Sequence, residues 1–162
     1  MPEKGGSLAR VAERSIVVEL QIAATPEHVW DVISDTRRYA EWVVNTLEVT
    51  RADSDVADVG VTYDERNKVA GPYNARSTWK VVESERPRHT VHEGEGIPLA
   101  SRMVLELTLA PAGEGATHYT HRFAYEPGLG PLGPLVDVAL APLLRRDMRK
   151  SAENLKALIE AG

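Results

Sequence analysis

The sequence predicts an α+β protein in which one antiparallel sheet of six to seven strands is covered by a single long C-terminal helix. Three observations lead there. From about residue 45 to residue 126 the apolar residues recur at every second position, in segments bounded by Gly, Pro, Asp or Asn, which is the period of strands with one wet face. From residue 136 to residue 159 they recur instead at helical spacing. The chain has 162 residues and no internal repeat, so one core accounts for all of it.

In chain order, residues 1–14 read as a polar leader and residues 15–162 as a single domain. Residues 15–22 are rich in Val and Ile and form a first strand. Thr25-Pro26 then marks a helix start, a hydroxyl N-cap followed by proline where no N–H is needed. Val29, Trp30, Val32 and Ile33 supply its buried stripe. Asp35 caps a second short helix that sets Tyr39 and Trp42 three apart on one face. Strands follow at 46–52, 59–68, 74–84, 89–94, 102–110 and 117–126. Met103, Leu105, Leu107 and Leu109 share one face of the fifth of these, and Tyr119, His121, Phe123 and Tyr125 one face of the sixth. The last helix carries Val136, Leu140, Leu143, Leu144, Met148, Ala152, Leu155 and Ile159 inward. Pro142 lies inside that pattern, so a kink there or a start near it is expected. A sheet with one apolar face needs a cover, and this helix is the only element large enough.

Composition narrows the function. Zero Cys excludes thiolate zinc sites, iron–sulfur clusters and a cysteine nucleophile, and fits a cytoplasmic protein. A net charge of −5 speaks against nucleic-acid binding. The most apolar stretch, 129–144, holds three prolines and an aspartate and is shorter than the ~20 residues of a membrane span. No stable membrane insertion is expected. The histidines at 89 and 92, and at 118 and 121, fall on opposite faces of their strands, so neither pair chelates a metal. The nine aromatics are five Tyr, three Trp and one Phe, so eight carry a polar atom, the palette of a binding lining as much as of a core.

The run Ile22-Ala23-Ala24-Thr25-Pro26-Glu27-His28-Val29-Trp30-Asp31-Val32-Ile33-Ser34-Asp35, continuing through Arg38-Tyr39-Ala40-Glu41-Trp42, resembles the opening signature of the START-like superfamily. The polyketide cyclase/dehydrase (SRPBCC) group within it is the nearest in pattern. Val59-Gly60, Gly71, Trp79-Lys80-Val81-Val82-Glu83 with Pro87, Leu143-Leu144-Arg145-Arg146-Asp147 and Asn154-Leu155-Lys156 agree in order, so the resemblance covers roughly residues 15–160. It implies a helix-grip fold, a curved sheet wrapped around the C-terminal helix, with a deep apolar cavity between them. Ligands of the group include lipids, polyketides, isoprenoids and hormones, and some members are aromatase-cyclases. Where those carry a serine and an arginine after the strand tryptophan, this chain has Val81 and Glu83, so cavity binding transfers more directly than cyclisation.

The inward faces then name the candidate lining: Tyr63, Glu65 and Asn67; Tyr73, Ser77 and Trp79; Met103 and Leu105; Tyr119, His121, Phe123 and Tyr125. Trp42 lies below, and Leu140, Leu144 and Met148 come from the helix. His121 is the candidate acid–base residue, with Glu65 to orient or protonate it. The alternative for each group is a satisfied core residue. Arg145, Arg146, Arg149 and Lys150 read as a solvated helix face, with a patch for anionic lipid or RNA as the alternative. Residues 126–135 make either a mobile lid or a proline-stiffened connection. Three functions stand: a binder of a small hydrophobic molecule, a cyclase/dehydratase-type enzyme, and a quinone chaperone or other interaction protein. None calls for a cofactor or a metal.

Overall fold

In the computed structural model, which describes residues 13–162, the chain runs β1 (Arg14–Ile22), α1 (Pro26–Ile33), a 3₁₀ turn (Thr36–Arg38), α2 (Tyr39–Trp42), β2 (Thr46–Ala52), β3 (Thr62–Ala70), β4 (Tyr73–Glu85), β5 (His89–Glu95), β6 (Ala100–Pro111), β7 (Thr117–Pro127), a second 3₁₀ turn (Gly130–Leu132) and α3 (Gly133–Glu160). The seven strands form one curved sheet in the order β1-β7-β6-β5-β4-β3-β2. Every neighbouring pair is antiparallel. Strands β2 to β7 are thus a meander, and β1 returns to pair with β7. Register shifts interrupt β2 against β3, the tip of β3 against β4, β4 against β5 and the start of β6 against β7. Extra residues of this kind bend a strand and raise its twist, which lets the sheet curl around α3.

The capping residues act as the sequence predicts. The Thr25 hydroxyl accepts the His28 N–H at 3.3 Å, with Pro26 opening α1. The Asp35 carboxylate accepts the Arg37 N–H at 3.1 Å and starts the turn that delivers α2. Most strand ends shift by one or two residues, and three boundaries differ in ways that matter. Residues 59–61 belong to a turn, in which the Val61 N–H donates to the Asp58 carbonyl at 3.0 Å and Gly60 sits at φ +87°. A side chain at that φ is strained, so glycine fits, and β3 begins only at Thr62. Helix α3 starts at Gly133 and runs through Pro142; the missing N–H falls on an exposed face, where the Val138 carbonyl loses its helical partner. Leu143, expected inward, is half exposed. The polar leader lies outside the described residues except for Glu13 and Arg14, and Arg14 is already part of β1.

The two ends of the sheet are filled differently. At one end Ile22, Ala152 and Leu155 are fully buried, with Val18, Val29, Leu109, Tyr119 and Ile159 around them. There the Glu160 carboxylate accepts the Ala23 N–H at 2.8 Å, and Lys156 donates to the Gln21 carbonyl at 2.8 Å. These bonds clamp the last turns of α3 to the end of β1. At the other end, where β3, β5 and β7 finish, the described residues leave the space between sheet and helix unfilled.

Candidate functional site

That space is a cavity of about 620 Å³, within the range of small-molecule sites. The sheet supplies its walls, α2 and the segment after it one side, and the first half of α3 its roof. Of the predicted lining, Trp42, Tyr63, Glu65, Asn67, Ser77, Trp79, Met103, Leu105, His121, Phe123, Tyr125, Leu140, Leu144 and Met148 all border it.

Strand alternation places the polar groups of β3 and β4 on one wall, with Glu65 opposite Ser77 and Tyr63 opposite Trp79. They form a directed chain. The Trp79 indole N–H donates to Ser77 Oγ at 2.9 Å, and Ser77 donates to Asn67 Oδ1 at 2.6 Å. The Asn67 amide then donates to Glu65 Oε2 at 3.1 Å, while the Thr46 hydroxyl donates to Oε1 at 3.3 Å. Every donor in the chain points toward the Glu65 carboxyl. Burial pushes the pKa of that carboxyl up, and the bonds from Asn67 and Thr46 pull partly against it. Gly94 pairs with Trp79 across β4 and β5. A Cβ there would come within 2.5 Å of the indole, so glycine is what lets the ring lie on the sheet.

The middle of the sheet carries a second chain. Tyr63 OH lies 2.7 Å from His92 Nδ1, His92 Nε2 lies 3.0 Å from Thr90 Oγ1, and the Thr90 hydroxyl donates to the Glu83 carbonyl at 3.1 Å. With the Thr90 hydrogen committed to that carbonyl, His92 Nε2 must be the donor to Thr90, and Nδ1 accepts from Tyr63. Burial lowers the His92 pKa to about 4, so the neutral tautomer needed by this chain is the one present at neutral pH.

His121 sits on β7 between Tyr119 and Phe123. Its Nδ1 is buried without a partner among the described residues, and the ring borders the cavity. Nε2 makes no bond to the described residues and is the nitrogen that reaches the open space. A buried orphan is less costly as a lone pair than as an N–H, so Nε2 carries the hydrogen and presents a donor to the cavity. Burial lowers this pKa to about 4 as well. The expected partnership with Glu65 is absent: three strands lie between β7 and β3, and the bonds to the Glu65 carboxyl come from Thr46 and Asn67.

At the roof, the Tyr125 hydroxyl donates to the carboxylate of Asp137 on α3, and Arg14 Nε lies 3.0 Å from the other oxygen. Burial and this carboxylate push the Tyr125 pKa up to about 12. One acidic side chain thereby ties the first turns of α3 to β7 and β1.

Two predicted lining residues lie elsewhere. Tyr73 has the inward parity of Ser77 and Trp79 but stands at the β3–β4 hairpin tip, beyond the helix that covers them, and is 74% exposed. Tyr119 is fully buried in the filled end, opposite Leu20 and Leu109, and does not border the cavity. Conversely, His92, Asp137 and Tyr39 border the cavity and were not among the predicted lining. The parity of Thr90, His92 and Gly94 was the available signal for the first, and the helical spacing of Asp137 with Leu140 and Leu144 for the second. Among the described residues, Tyr39 OH and Trp42 Nε1 are buried without hydrogen-bond partners. Among the described residues no group of three or more His, Asp or Glu is placed to hold a metal ion.

A family model described as polyketide cyclase / dehydrase and lipid transport matches residues 13–160. A curated protein of Mycobacterium tuberculosis, Toxin Rv0910, is 27% identical over 136 residues, 83% of this chain and 90% of its own length. Among solved structures, the Zhui aromatase/cyclase from Streptomyces sp. R1128 superposes with a TM-score of 0.75 at 15% identity, over 92% of this chain and 94% of that one. Truncated norcoclaurine synthase from Thalictrum flavum superposes with a TM-score of 0.68 at 14% identity, over 91% and 94%. At such identities these two structures share the fold.

Proposed function

The chain belongs to the polyketide cyclase/dehydrase and lipid transport family, and from that premise we propose that it binds a small hydrophobic molecule of polyketide, lipid or isoprenoid type between the sheet and α3. One observation carries the proposal: the cavity of about 620 Å³ is bordered mostly by apolar and aromatic side chains, and polar groups on its sheet wall such as Glu65, Asn67 and Ser77 are held in place by hydrogen bonds to one another. Burial of the ligand's apolar surface supplies the affinity. Orientation comes from two groups on opposite walls. His121 Nε2–H serves a ligand acceptor such as a carbonyl oxygen, and the Glu65 carboxyl serves a ligand hydroxyl.

Binding is the reading to test first, because most of the polar groups already hold one another. Tyr63 is committed to His92, Tyr125 to Asp137, and Ser77 to Asn67. A neutral His121 without a carboxylate partner is a weak base. The exposure of its Nε2 to the cavity keeps one second reading, acid–base catalysis on the bound ligand, in which this nitrogen moves the proton.

Native mass spectrometry of protein purified from its own host, with identification of the retained small molecule, is the deciding experiment. An apolar, oxygen-bearing molecule should be found, and Leu144→Trp, which fills the cavity from α3, should release it. A protein that retains nothing and takes up no member of a hydrophobic panel is not a cavity binder. Turnover of the identified ligand by the wild type, lost in His121→Phe, would promote the enzymatic reading.

A further inference from the structure

Helix α3 has a second face. Leu135 and Val138 are 74% and 73% exposed, and Leu132, just before the helix, is 62% exposed. At 100° per residue, Leu135, Val138, Ala139 and Pro142 fall on one outward stripe. The same stripe continues with Arg145, Arg146, Arg149 and Lys150, all exposed. Of these four, only Arg146 makes an ion pair among the described residues, with its neighbour Asp147 at 3.2 Å. The outward face is thus apolar for its first two turns and cationic for the next two, over a length of about 20 Å.

Its location gives this division a use. The cavity is bordered at its open end by the β3–β4 hairpin, the β5–β6 loop, the segment leading into α3 and the first half of α3 itself. Exposed Leu129, Leu132, Leu135, Tyr73 and Val44 stand at that same end. Exposed apolar groups this concentrated mark a contact surface, and a cation cluster beside them selects an anionic one. The whole chain carries −5, so the cluster is a local reversal rather than part of a generally basic surface.

We propose that the outer face of α3, with the leucines that precede it, docks on a lipid bilayer bearing anionic headgroups and sets the mouth of the cavity against that bilayer. Leu132, Leu135 and Val138 enter the headgroup–acyl boundary, and Arg145, Arg149 and Lys150 lie against the phosphates, the arrangement of an interfacial helix. The inference goes beyond ligand binding in the cavity and is tested separately from it.

The test is flotation of the full chain with vesicles of phosphatidylcholine alone and of phosphatidylcholine mixed with phosphatidylglycerol. Binding should favour the anionic vesicles by about tenfold or more and weaken as salt screens the cations. Leu135→Glu with Val138→Glu, and separately Arg145→Glu with Arg149→Glu, should each lower it by a similar factor. None of these four residues borders the cavity, so melting temperature and uptake of anilinonaphthalene sulfonate should stay at wild-type values and certify the fold. Equal binding to both vesicle types, or variants that float like wild type, would overturn the proposal. So would a wild type that ignores vesicles but sediments as a dimer which Leu135→Glu dissociates, since the face would then belong to a second copy of the chain. Docking without ligand uptake would leave this proposal standing and remove the cavity reading, and the converse holds equally.

Discussion

The two halves of α3 are one continuous helix in two different environments. From Met148 to Ile159 the inward residues are buried, Ala152 and Leu155 completely, and the end is clamped to β1 through Glu160 and Lys156. From Gly133 to Asp147 only Gly133 and Asp137 are buried, and Val136, Leu140 and Leu144 face open space. The second half therefore holds the fold together, and the first half roofs the cavity. A helix anchored at one end by packing can span an unfilled interior at the other, provided something polar holds the loose end. The Asp137 contact with Tyr125 and Arg14 does so.

The largest expected effect tests that division. Leu155→Ala should cost about 3–5 kcal/mol, because the vacated volume sits in a packed region that collapses only partly. Leu140→Ala and Leu144→Ala remove similar atoms from the edge of an existing void and should each cost about 1 kcal/mol or less, while weakening ligand binding. Urea unfolding measures all three, and equal losses would end the distinction.

Acid should attack the cavity before the packed end. His92 and His121 have pKa values lowered from 6.5 to about 4 by burial. Between those values the unfolded chain binds protons that the folded chain does not. The stability they provide is complete above about pH 6.5 and is lost as pH falls toward 4, by a few kcal/mol for the pair. Glu65 has the opposite sign: its raised pKa gives stability that is present below the ordinary carboxylate value and lost as pH rises through the folded-state value. Glu65→Gln should then raise the melting temperature at neutral pH, and His121→Phe should flatten the slope between pH 4 and 6.5. A stability profile unchanged by both variants would mean that burial does not control these groups.

Asp137→Asn comes next, at about 1–3 kcal/mol. It leaves the buried Tyr125 hydroxyl with a weaker acceptor and Arg14 without its counter-charge. Hydrogen exchange should quicken at the amides of 136–141 and 143–146 and stay slow at 152–159. Uniform quickening would show that the two halves open together and that Asp137 is not a local tether.

Most of the architecture was legible because period alone carries it. The alternation of Met103, Leu107 and Leu109 on β6, and of Tyr119 and His121 on β7, fixed the buried face, and these residues are buried. Thr25 and Asp35 announced their turns through chemistry that needs no tertiary partner. The site was legible as a face but not as a set of bonds. Nothing local in the sequence says that the Ser77 hydroxyl passes its hydrogen to Asn67, or that Tyr125 meets Asp137, because those pairs join different elements. Glu65 and His121 share the buried face and suggested a pair, but alternation carries no information about how many strands separate them.

Tyr63 and Tyr73 isolate that limit most cleanly, and they supply the smallest expected effect. Both have the inward parity of the β3–β4 hairpin, and their strands are paired neighbours. Tyr63 lies under the helical layer, 2% exposed, packed edge-on against Tyr39 at 5.3 Å and bonded to His92. Tyr73 lies one hairpin end further out, where none of the described residues covers it. Tyr73→Ser should change stability by about 0.5 kcal/mol or less and leave affinity for a soluble cavity ligand unchanged. Tyr63→Phe should cost about 1–2 kcal/mol, because His92 Nδ1 loses its donor inside the protein. If Tyr73→Ser instead weakened uptake of the ligand from solution, the hairpin tip would close over the mouth when the cavity is filled, and the roof would include more of the sheet than α3 alone covers.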